Sequence, residues 1–343
     1  MRKVYFLTDY KGNFGSKYIA LPYRSGMDKE LLRRYLERHG LDAVFLGFSE
    51  VNFINSTFSG QFVVYTSAED DGLFYKDYIE DILLGLQCKG AILIPKFEYF
   101  RAHHNKVFME ILRDVLNVEG THNLRTRYFG TLEEFLREQH TFSGTSVIKP
   151  SAGSMSSGIL LARGPEDHRM KAKKISKTRN LGLRFRDFLR QIRRKGYVKE
   201  SWNRQKFIVQ EYVPGLAEDW KVVVYGKKFY VLNRAVRKGD FRASGSGRFR
   251  YSEDVPTVVL ELSERIFQAM DVPWLSLDIA VANGTPFLLE FQVIYFGTST
   301  LDFSEFWFTK EGPIWRVNKG RSVLEIEFAA SLASYINDKY GIR

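Results

Sequence analysis

The chain has 343 residues, of which 44% are hydrophobic and 27% charged, so its composition is that of a folded protein and excludes extensive disorder. The single cysteine, Cys88, excludes a disulfide framework and a cysteine-rich zinc site. No stretch approaches the ~20 apolar residues of a membrane span, and the apolar run at the N-terminus is too short for a signal peptide. We therefore expect a cytoplasmic protein with no membrane partner.

The first hundred residues alternate short apolar runs with helical periodicity. Strands are predicted at 4–7, 43–48, 62–65 and 91–94, and helices at 28–39 and 73–86. Asp28 is suited to cap the first helix. This alternation predicts a small α/β domain with a mostly parallel sheet.

The middle of the chain mixes helices and strands. Helices are predicted at 103–116 and 131–139, the second with Thr131 and Glu134 as a capping box. Strands are predicted at 128–129, 146–150 and 207–213. Between the last two strands, residues 168–206 carry 15 lysines and arginines and two acids, and the second half of this basic segment is predicted to be helical. Its apolar positions are Leu183, Phe185, Phe188, Leu189 and Ile192.

The last third has an antiparallel pattern. One hairpin is predicted over 220–235 and a second over 274–293, where the dipeptide Asn283-Gly284 is a strong turn signal. Long helices are predicted at 252–270 and 322–340. The chain as a whole is therefore expected to be of the α/β (α+β) class.

A loop rich in small residues follows Lys149 and includes Gly153, Ser154, Ser156 and Gly158. Such a loop offers many backbone N–H groups to phosphate oxygens, and a lysine on the preceding strand adds a point charge. It is not a Walker A loop, because Ile159 and Leu160 stand where Lys and Ser or Thr are required. A plain surface loop remains the alternative.

Three oxygen-bearing side chains lie on the predicted second hairpin. Glu290 and Gln292 are two residues apart and so share one face of their strand, and Asp278 can point to that face from across the turn. Carboxylate and amide oxygens suit Mg²⁺ bound together with phosphates. A polar outer face is the alternative, but the neighbouring residues are strongly apolar, and acids in such a strand usually need a partner or an ion.

Residues 234–248 contain four arginines in a glycine-rich stretch, among them Arg234, Arg237 and Arg242. Arginine side chains match phosphate and carboxylate oxygens. The alternative is a solvated charged loop.

Read in order, these elements resemble the ATP-grasp superfamily over roughly residues 100–300. Their layout is most similar to that of its carboxylate–amine ligases, such as D-alanine–D-alanine ligase, glutathione synthetase and the ribosomal-protein glutamate ligases. The resemblance implies an N-terminal α/β domain (1–100) and an ATP-grasp region (101–343). Within that region it implies a lid-like subdomain (141–213, with the basic segment inserted) and a metal-binding subdomain (214–343) that clamp ATP between them.

The resemblance also implies roles for residues. The lysines Lys106 and Lys149, with Gly153, Ser154 and Ser156, correspond to the phosphate side, and the strand Gln210, Glu211, Tyr212 and Val213 corresponds to the adenine side. Asp219 corresponds to the ribose-binding acid, with Glu218 as the competing choice and Lys221 beside it. Arg234, Arg237 and Arg242 correspond to catalytic arginines, and Asp278, Glu290 and Gln292 to the ligands of Mg²⁺ or Mn²⁺. The family usually has Asn where this chain has Gln292, and Arg-x-Asn where it has Arg242-Ala-Ser244.

The implied reaction is the ATP-dependent joining of a carboxylate to an amine through an acyl phosphate. The carboxylate could belong to an amino acid, a peptide or a sugar acid, held by residues 10–17 and 293–300. One alternative keeps the ATP site but transfers phosphate without an amine step. Another is a non-enzymatic protein that binds nucleic acid or another polyanion through residues 168–206. The alternative for that segment is a solvated helix that has no binding partner and packs on the ATP-binding subdomain through its apolar positions. The oligomeric state is left open here, and a dimer is one expectation.

Overall fold

The computed structural model describes residues 1–153, 158–178, 181–236 and 247–341. These residues fall into two units, each built from separate stretches of the chain. Unit 1 contains residues 1–103, 116–123 and 216–343, and unit 2 contains residues 104–115 and 124–215.

The N-terminal part of unit 1 is the predicted α/β arrangement. Its elements are the strands β1 (Arg2–Thr8), β2 (Leu41–Gly47), β3 (Phe62–Tyr65) and β4 (Ile92–Ile94) and the helices α1 (Lys29–Arg38), α2 (Phe74–Cys88) and α3 (Phe97–Ala102). The strand order is β2-β1-β3-β4, and every pairing is parallel, which confirms the predicted sheet. Asp28 caps α1 as predicted, accepting hydrogen bonds from the backbone of Glu30 and Leu31.

Unit 2 is a four-stranded antiparallel sheet with helices. Its elements are α4 (Lys106–Leu116), β5 (Thr126–Phe129), α5 (Leu132–Glu138), β6 (Thr145–Pro150), β7 (Leu160–Arg163), α6 (Gly164–Ser176), α7 (Leu181–Arg193) and β8 (Phe207–Glu211). The strand order is β5-β8-β6-β7. Side chains on one face of this sheet, among them Ile148, Phe207 and Val209, form a core with Phe135 of α5 and Ala172 of α6.

Helix α4 starts later than predicted. The expected helix at 103–116 is interrupted because His104 has a left-handed φ of +55°, and the helix begins only at Lys106. The amide oxygen of Asn105 accepts a hydrogen bond from the backbone N–H of Phe108 at 3.3 Å, which is the geometry of a helix cap.

The second part of unit 1 is a large antiparallel sheet. It contains β9 (Glu218–Tyr225), β10 (Lys228–Ala235), β11 (Phe249–Arg250), α8 (Thr257–Met270), β12 (Trp274–Ala282), β13 (Thr285–Gln292), α9 (Ser299–Asp302), β14 (Phe306–Glu311), β15 (Ile314–Lys319) and α10 (Leu324–Tyr340). The strand order is β13-β12-β9-β10-β14-β15, and β11 pairs with β10. Both predicted hairpins are present, and Asn283 and Gly284 have the left-handed φ values that their turn requires.

Several elements differ from the expectation. Helix α8 begins at Thr257 rather than at residue 252, because Pro256 disfavours helical backbone in the residue before it. The hairpin formed by β14 and β15 was not predicted from the sequence. The basic segment contains two helices, α6 up to Ser176 and α7 over Leu181–Arg193, and residues 194–206 are not helical, whereas a helix was expected in its second half only. Within the described residues, no helix is long and apolar enough to cross a membrane.

Candidate functional site

Three predicted ligand residues meet on one face of the large sheet. Asp278 of β12 lies directly opposite Glu290 of β13, and Ser276 lies opposite Gln292. Because side chains two residues apart share a face, Asp278, Glu290 and Gln292 project from the same side of the sheet. The amide nitrogen of Gln292 donates to a carboxylate oxygen of Glu290 at 3.2 Å.

A β-bulge lies beside this cluster. Asp278 pairs with Glu290, but the next residue, Ile279, pairs with Leu288, so Leu289 has no partner on β12. A bulge adds one residue to a strand and changes the direction of the neighbouring side chain. This bulge keeps Glu290 opposite Asp278 although the rest of the hairpin follows a different register.

Arg234 joins the cluster to a second buried acid. Its guanidinium donates from Nε to Asp219 Oδ1 at 2.6 Å and from Nη2 to Asp219 Oδ2 at 2.9 Å. The same Nη2 lies 2.9 Å from Asp278 Oδ2. Asp219 and Arg234 are both buried. The strand register explains the contact, since Arg234 of β10 lies opposite Asp219 of β9.

The two acids have different protonation tendencies. Burial raises the pKa of Asp219 to about 6, although the charge of Arg234 opposes this rise. Burial also opposes ionisation of Asp278, but the charges of Arg234 and Lys221 outweigh it and hold the pKa of Asp278 below its ordinary value. Asp278 is therefore the acid that is ionised most readily, as a metal ligand must be.

The donor set of this cluster fits a hard divalent cation. Asp278 Oδ1 is buried and has no hydrogen-bond partner among the residues that the structure describes, and Lys221 Nζ lies 3.6 Å from it. Glu290 and Gln292 are half-buried next to it. Two carboxylates and an amide oxygen on one face are ligands of the kind that Mg²⁺ takes. The side chain of Gln292 is one methylene longer than the asparagine that the resemblance leads us to expect, and it projects from the same face of the sheet as Asp278 and Glu290.

In unit 2, the predicted first lysine contacts the predicted loop. Lys106 begins α4, is buried, and donates from Nζ to the backbone oxygen of Gly153 at 2.7 Å. Its backbone N–H donates to the oxygen of Ser151 at 2.8 Å, and the Ser151 hydroxyl donates to Asn105 at 3.0 Å. Two motifs more than forty residues apart in the sequence thus form one structural group.

Lys149 and Gln210 share the other face of the unit 2 sheet. Lys149 of β6 lies opposite Ile208, and Gln210 of β8 lies opposite Val147, two residues before Lys149. Gln210 is buried and donates to the Thr126 hydroxyl at 3.2 Å. Glu211, Tyr212 and Val213 follow it at the end of the strand, where Glu211 is exposed and the other two are half-buried.

Some predicted site residues lie outside the described residues: Ser154, Ser156, Arg237 and Arg242. Glu218 is described and lies on the opposite face of β9 from Asp219, with Arg250 Nη2 at 3.8 Å.

The sequence analysis did not single out a buried ion pair on α4. Glu110 and Arg113 are both buried, with 3.1 Å between Glu110 Oε2 and Arg113 Nη1. Burial raises the pKa of Glu110, and the charges of Arg113 and Lys149 offset part of this rise. The signal was available in the sequence, because Glu110 and Arg113 lie four and seven residues after Lys106 and so occupy the same helix face.

A small cavity of about 40 Å³ opens in unit 1 between the two segments that were predicted to hold the substrate. Phe14, Gly15 and Ser16 line it from the first segment, and Val293, Tyr295 and Phe296 from the second. Its further lining residues are Met27, Tyr65, Thr66, Pro95, Tyr225, Trp274, Ile294, Thr298 and Phe328. The lining contains several aromatic rings and no charged side chain.

Two polar contacts hold these segments in place. Lys17 Nζ lies 2.7 Å from Glu325 Oε1, and Glu325 is buried. The backbone N–H of Tyr18 donates to the Thr298 hydroxyl at 2.8 Å. Both contacts join the first segment to the C-terminal part of unit 1. Trp274 lies four residues before Asp278 on β12, and Val293 directly follows Gln292, the last residue of β13, so the cavity and the acidic cluster involve the same two strands.

No protein-family model matches this sequence, and no curated protein does. Solved structures do resemble it. D-cycloserine synthetase DcsG has a TM-score of 0.55 and 14% identity, with 97% of this chain and 99% of that chain covered. A RiPP-associated ATP-grasp ligase from Chryseobacterium gregarium, in complex with ADP and a leader and core peptide, has a TM-score of 0.53 and 12% identity, covering 99% and 97%. A RimK domain ATP-grasp protein from Sphaerobacter thermophilus DSM 20745 has a TM-score of 0.51 and 12% identity, covering 97% and 99%. At such identities the likeness concerns the fold alone.

Proposed function

Since this chain has the ATP-grasp fold that its motifs predict, we propose that it is an ATP-dependent ligase that joins a carboxylate to an amine. The observation that carries this proposal is the cluster of Asp278, Glu290 and Gln292 on one sheet face, held by the buried Arg234. An acidic cluster of this kind, with fixed cations beside it, suits the binding of a nucleotide together with a divalent metal.

The metal ligands in this proposal are Asp278, Glu290 and Gln292, and the metal is Mg²⁺ or Mn²⁺. When bound, the metal neutralises charge on the phosphate oxygens. Arg234 and Lys221 provide fixed positive charge at the same place. Asp219 is a positioning residue, because both of its carboxylate oxygens orient the Arg234 guanidinium.

The nucleotide is assigned to further residues of the chain. In unit 2, Lys106, Lys149 and the loop with Gly153, Ser154 and Ser156 would contact phosphate oxygens, and Gln210, Glu211, Tyr212 and Val213 the adenine. Arg237 and Arg242 would add charge on the phosphate side, and Glu218 would accept from the ribose, since both oxygens of the buried Asp219 accept from Arg234. The close contact of Lys106 Nζ with the Gly153 oxygen supports the phosphate assignment. The proposal includes the domain boundaries that the resemblance implies: an N-terminal domain (1–100), a lid-like subdomain (141–213) and a metal-binding subdomain (214–343).

The proposed reaction has two steps. A carboxylate oxygen of the substrate attacks the γ-phosphorus of ATP, and ADP leaves, so that an acyl phosphate forms. The amine nitrogen then attacks the acyl carbon and loses a proton, and inorganic phosphate leaves with the electron pair of the broken C–O bond. No side-chain nucleophile is needed, so the protein contributes orientation and fixed charge.

The cavity in unit 1 supports a choice among carboxylate substrates. Its lining is aromatic and uncharged, and Trp274 in that lining belongs to β12, the strand that carries Asp278. An apolar group gains free energy by leaving water there, whereas the hydroxyl groups of a sugar acid would lose hydrogen bonds. We therefore propose an amino acid or peptide with a small apolar side chain as the carboxylate substrate.

The deciding experiment measures ADP release against a matrix of carboxylates and amines, followed by mass spectrometry of the products. The matrix contains apolar and charged amino acids, short peptides and sugar acids. A ligase releases ADP only when both an acid and an amine are present, and the product mass is the sum of the two minus water. ADP release with one substrate and a stable phosphorylated product would instead identify a phosphotransferase. No ADP release together with no nucleotide binding would refute the proposal.

Glu290→Gln tests the metal-binding role directly. The substitution keeps the size of the side chain but removes one negative charge from the cluster, so we expect ADP release to fall by about 100-fold or more. The matched control is Glu311→Gln, the same change at an exposed residue of β14, which should leave the rate unchanged. Equal rates for the two variants would contradict the assignment of Glu290.

A further inference from the structure

Helix α7 turns its apolar side outward. Phe185, Phe188 and Ile192 lie on one side of the helix and are 62%, 57% and 67% exposed. Asp187, by contrast, is buried and accepts a hydrogen bond from the Tyr197 hydroxyl at 2.8 Å. A surface helix usually buries its apolar stripe and exposes its polar residues. Phe185, Phe188 and Ile192 depart from this rule, so the expectation that apolar positions dock the helix is wrong for these three, whereas Leu189 is half-buried.

Helix α6, which covers the start of the same basic segment, buries two apolar residues and exposes basic residues. Helix α6 buries Ala172 in the core of unit 2 and Ile175 beside it, while its basic residues Arg169, Lys173 and Lys174 are exposed. The exposed apolar stripe is therefore a property of α7 and not of the whole basic segment.

Positive charge borders the stripe. Arg186, Arg190 and Arg193 are exposed on α7, and Arg194 and Lys195 continue the run after its end. The acid in this stretch, Asp187, is buried, and Arg190 Nη1 lies 3.6 Å from it. The surface that covers α7 must therefore be apolar in its centre and anionic at its border.

These properties decide between classes of partner. Nucleic acid offers phosphates to the arginines, but its duplexes have no apolar surface for a stripe that includes isoleucine. A second copy of this chain would place arginines against arginines. A stable interface with a globular protein needs about 800 Å² on each partner, whereas the three side chains expose roughly 300–400 Å². The surface of an anionic bilayer meets both requirements with a patch of this size.

We propose that α7 is an interfacial helix that binds an anionic phospholipid surface. Phe185, Phe188 and Ile192 enter the boundary between headgroups and acyl chains, and Arg186, Arg190 and Arg193 contact lipid phosphates. The contact lies on the surface of the bilayer and needs no membrane-spanning segment. It revises the expectation of no membrane partner, and it does not depend on the proposed ligase activity.

The test is co-sedimentation of the full chain with lipid vesicles. We expect binding to vesicles of phosphatidylcholine mixed with phosphatidylglycerol, weakening as salt rises, and much less binding to pure phosphatidylcholine. Absence of binding to the mixed vesicles would overturn the proposal.

Three multiple variants separate the contributions. Replacing Phe185, Phe188 and Ile192 together by Ser should weaken vesicle binding by about tenfold or more. Replacing Arg186, Arg190 and Arg193 by Gln should weaken it by about 100-fold. The matched control replaces Arg169, Lys173 and Lys174 of α6 by Gln, which removes the same charge from a helix without an exposed stripe, and it should retain most of the binding. Circular dichroism checks that each variant is folded.

Two results would exclude a specific role of α7. Equal losses in the α6 and α7 charge variants would indicate general attraction by the basic segment. Full vesicle binding by the serine variant, together with competition by single-stranded RNA, would identify a polyanion rather than a bilayer as the partner.

Discussion

Arg234 holds two carboxylates that would otherwise repel each other inside unit 1. Its guanidinium forms two hydrogen bonds with Asp219 and lies 2.9 Å from Asp278 Oδ2. Removing one member of a buried ion pair leaves an uncompensated charge, which is costly because the low-dielectric interior solvates it poorly. This residue is therefore expected to matter for stability as well as for any chemistry at the cluster.

Arg234→Gln is expected to lower the free energy of unfolding by about 3–5 kcal/mol. Urea denaturation followed by circular dichroism measures this change. The control, Arg250→Gln, alters an exposed arginine 3.8 Å from Glu218 and should change stability by no more than about 0.5 kcal/mol. A loss for Arg234→Gln no larger than that of the control would contradict the role given to Arg234.

At the scale of elements, the hairpin β12–β13 depends on the backbone of its turn. Gly284 has a φ of +76°, and a Cβ atom added there would meet no atom within 4 Å. A side chain at this position would therefore be penalised by the backbone conformation alone and not by a clash. Asp278 and Glu290 lie on the two strands of this hairpin, so their pairing depends on the turn together with the bulge at Leu289.

Gly284→Ala is expected to cost about 1–2 kcal/mol, the penalty for an L-residue in the left-handed region. Gly144→Ala is the matched control, because it too has open space at the Cβ position but no left-handed φ. The control should be neutral or stabilising by about 0.4–1 kcal/mol. Chemical denaturation of both variants gives the comparison, and equal effects would show that the φ at Gly284 is not the cause.

At the scale of the whole molecule, a bound nucleotide must stabilise the folded chain, because the unfolded chain has no site for it. The residues proposed to bind ATP come from separate stretches of the sequence. Binding would therefore couple the nucleotide to the folding of the chain as a whole.

ATP with Mg²⁺ at about 100 times its Kd should stabilise the chain by about 2.7 kcal/mol, seen as a rise in Tm. Chelation of the metal with EDTA should remove most of the effect. Lys149→Ala should reduce the rise, whereas Lys227→Ala, at an exposed turn residue, should not. A Tm that does not respond to ATP and Mg²⁺ would contradict the nucleotide site.

Local sequence patterns were enough to predict most of the strands and helices of this protein. Period-two alternation was sufficient to place Glu290 and Gln292 on one face of their strand, because strand geometry depends on neighbouring residues. The register of the Asn283-Gly284 turn alone would place Asp278 opposite Leu289, so it is the bulge at Leu289 that brings Asp278 opposite Glu290. The order of the motifs also indicated the ATP-grasp fold, which the structural comparisons confirm. Contacts between segments that are far apart in the sequence could not be predicted from such patterns, because the patterns describe only neighbouring residues. Only the tertiary structure decided that Arg234 holds Asp219, that Lys106 meets Gly153, and that α7 exposes its apolar side, since periodicity identifies an apolar face but not what covers it.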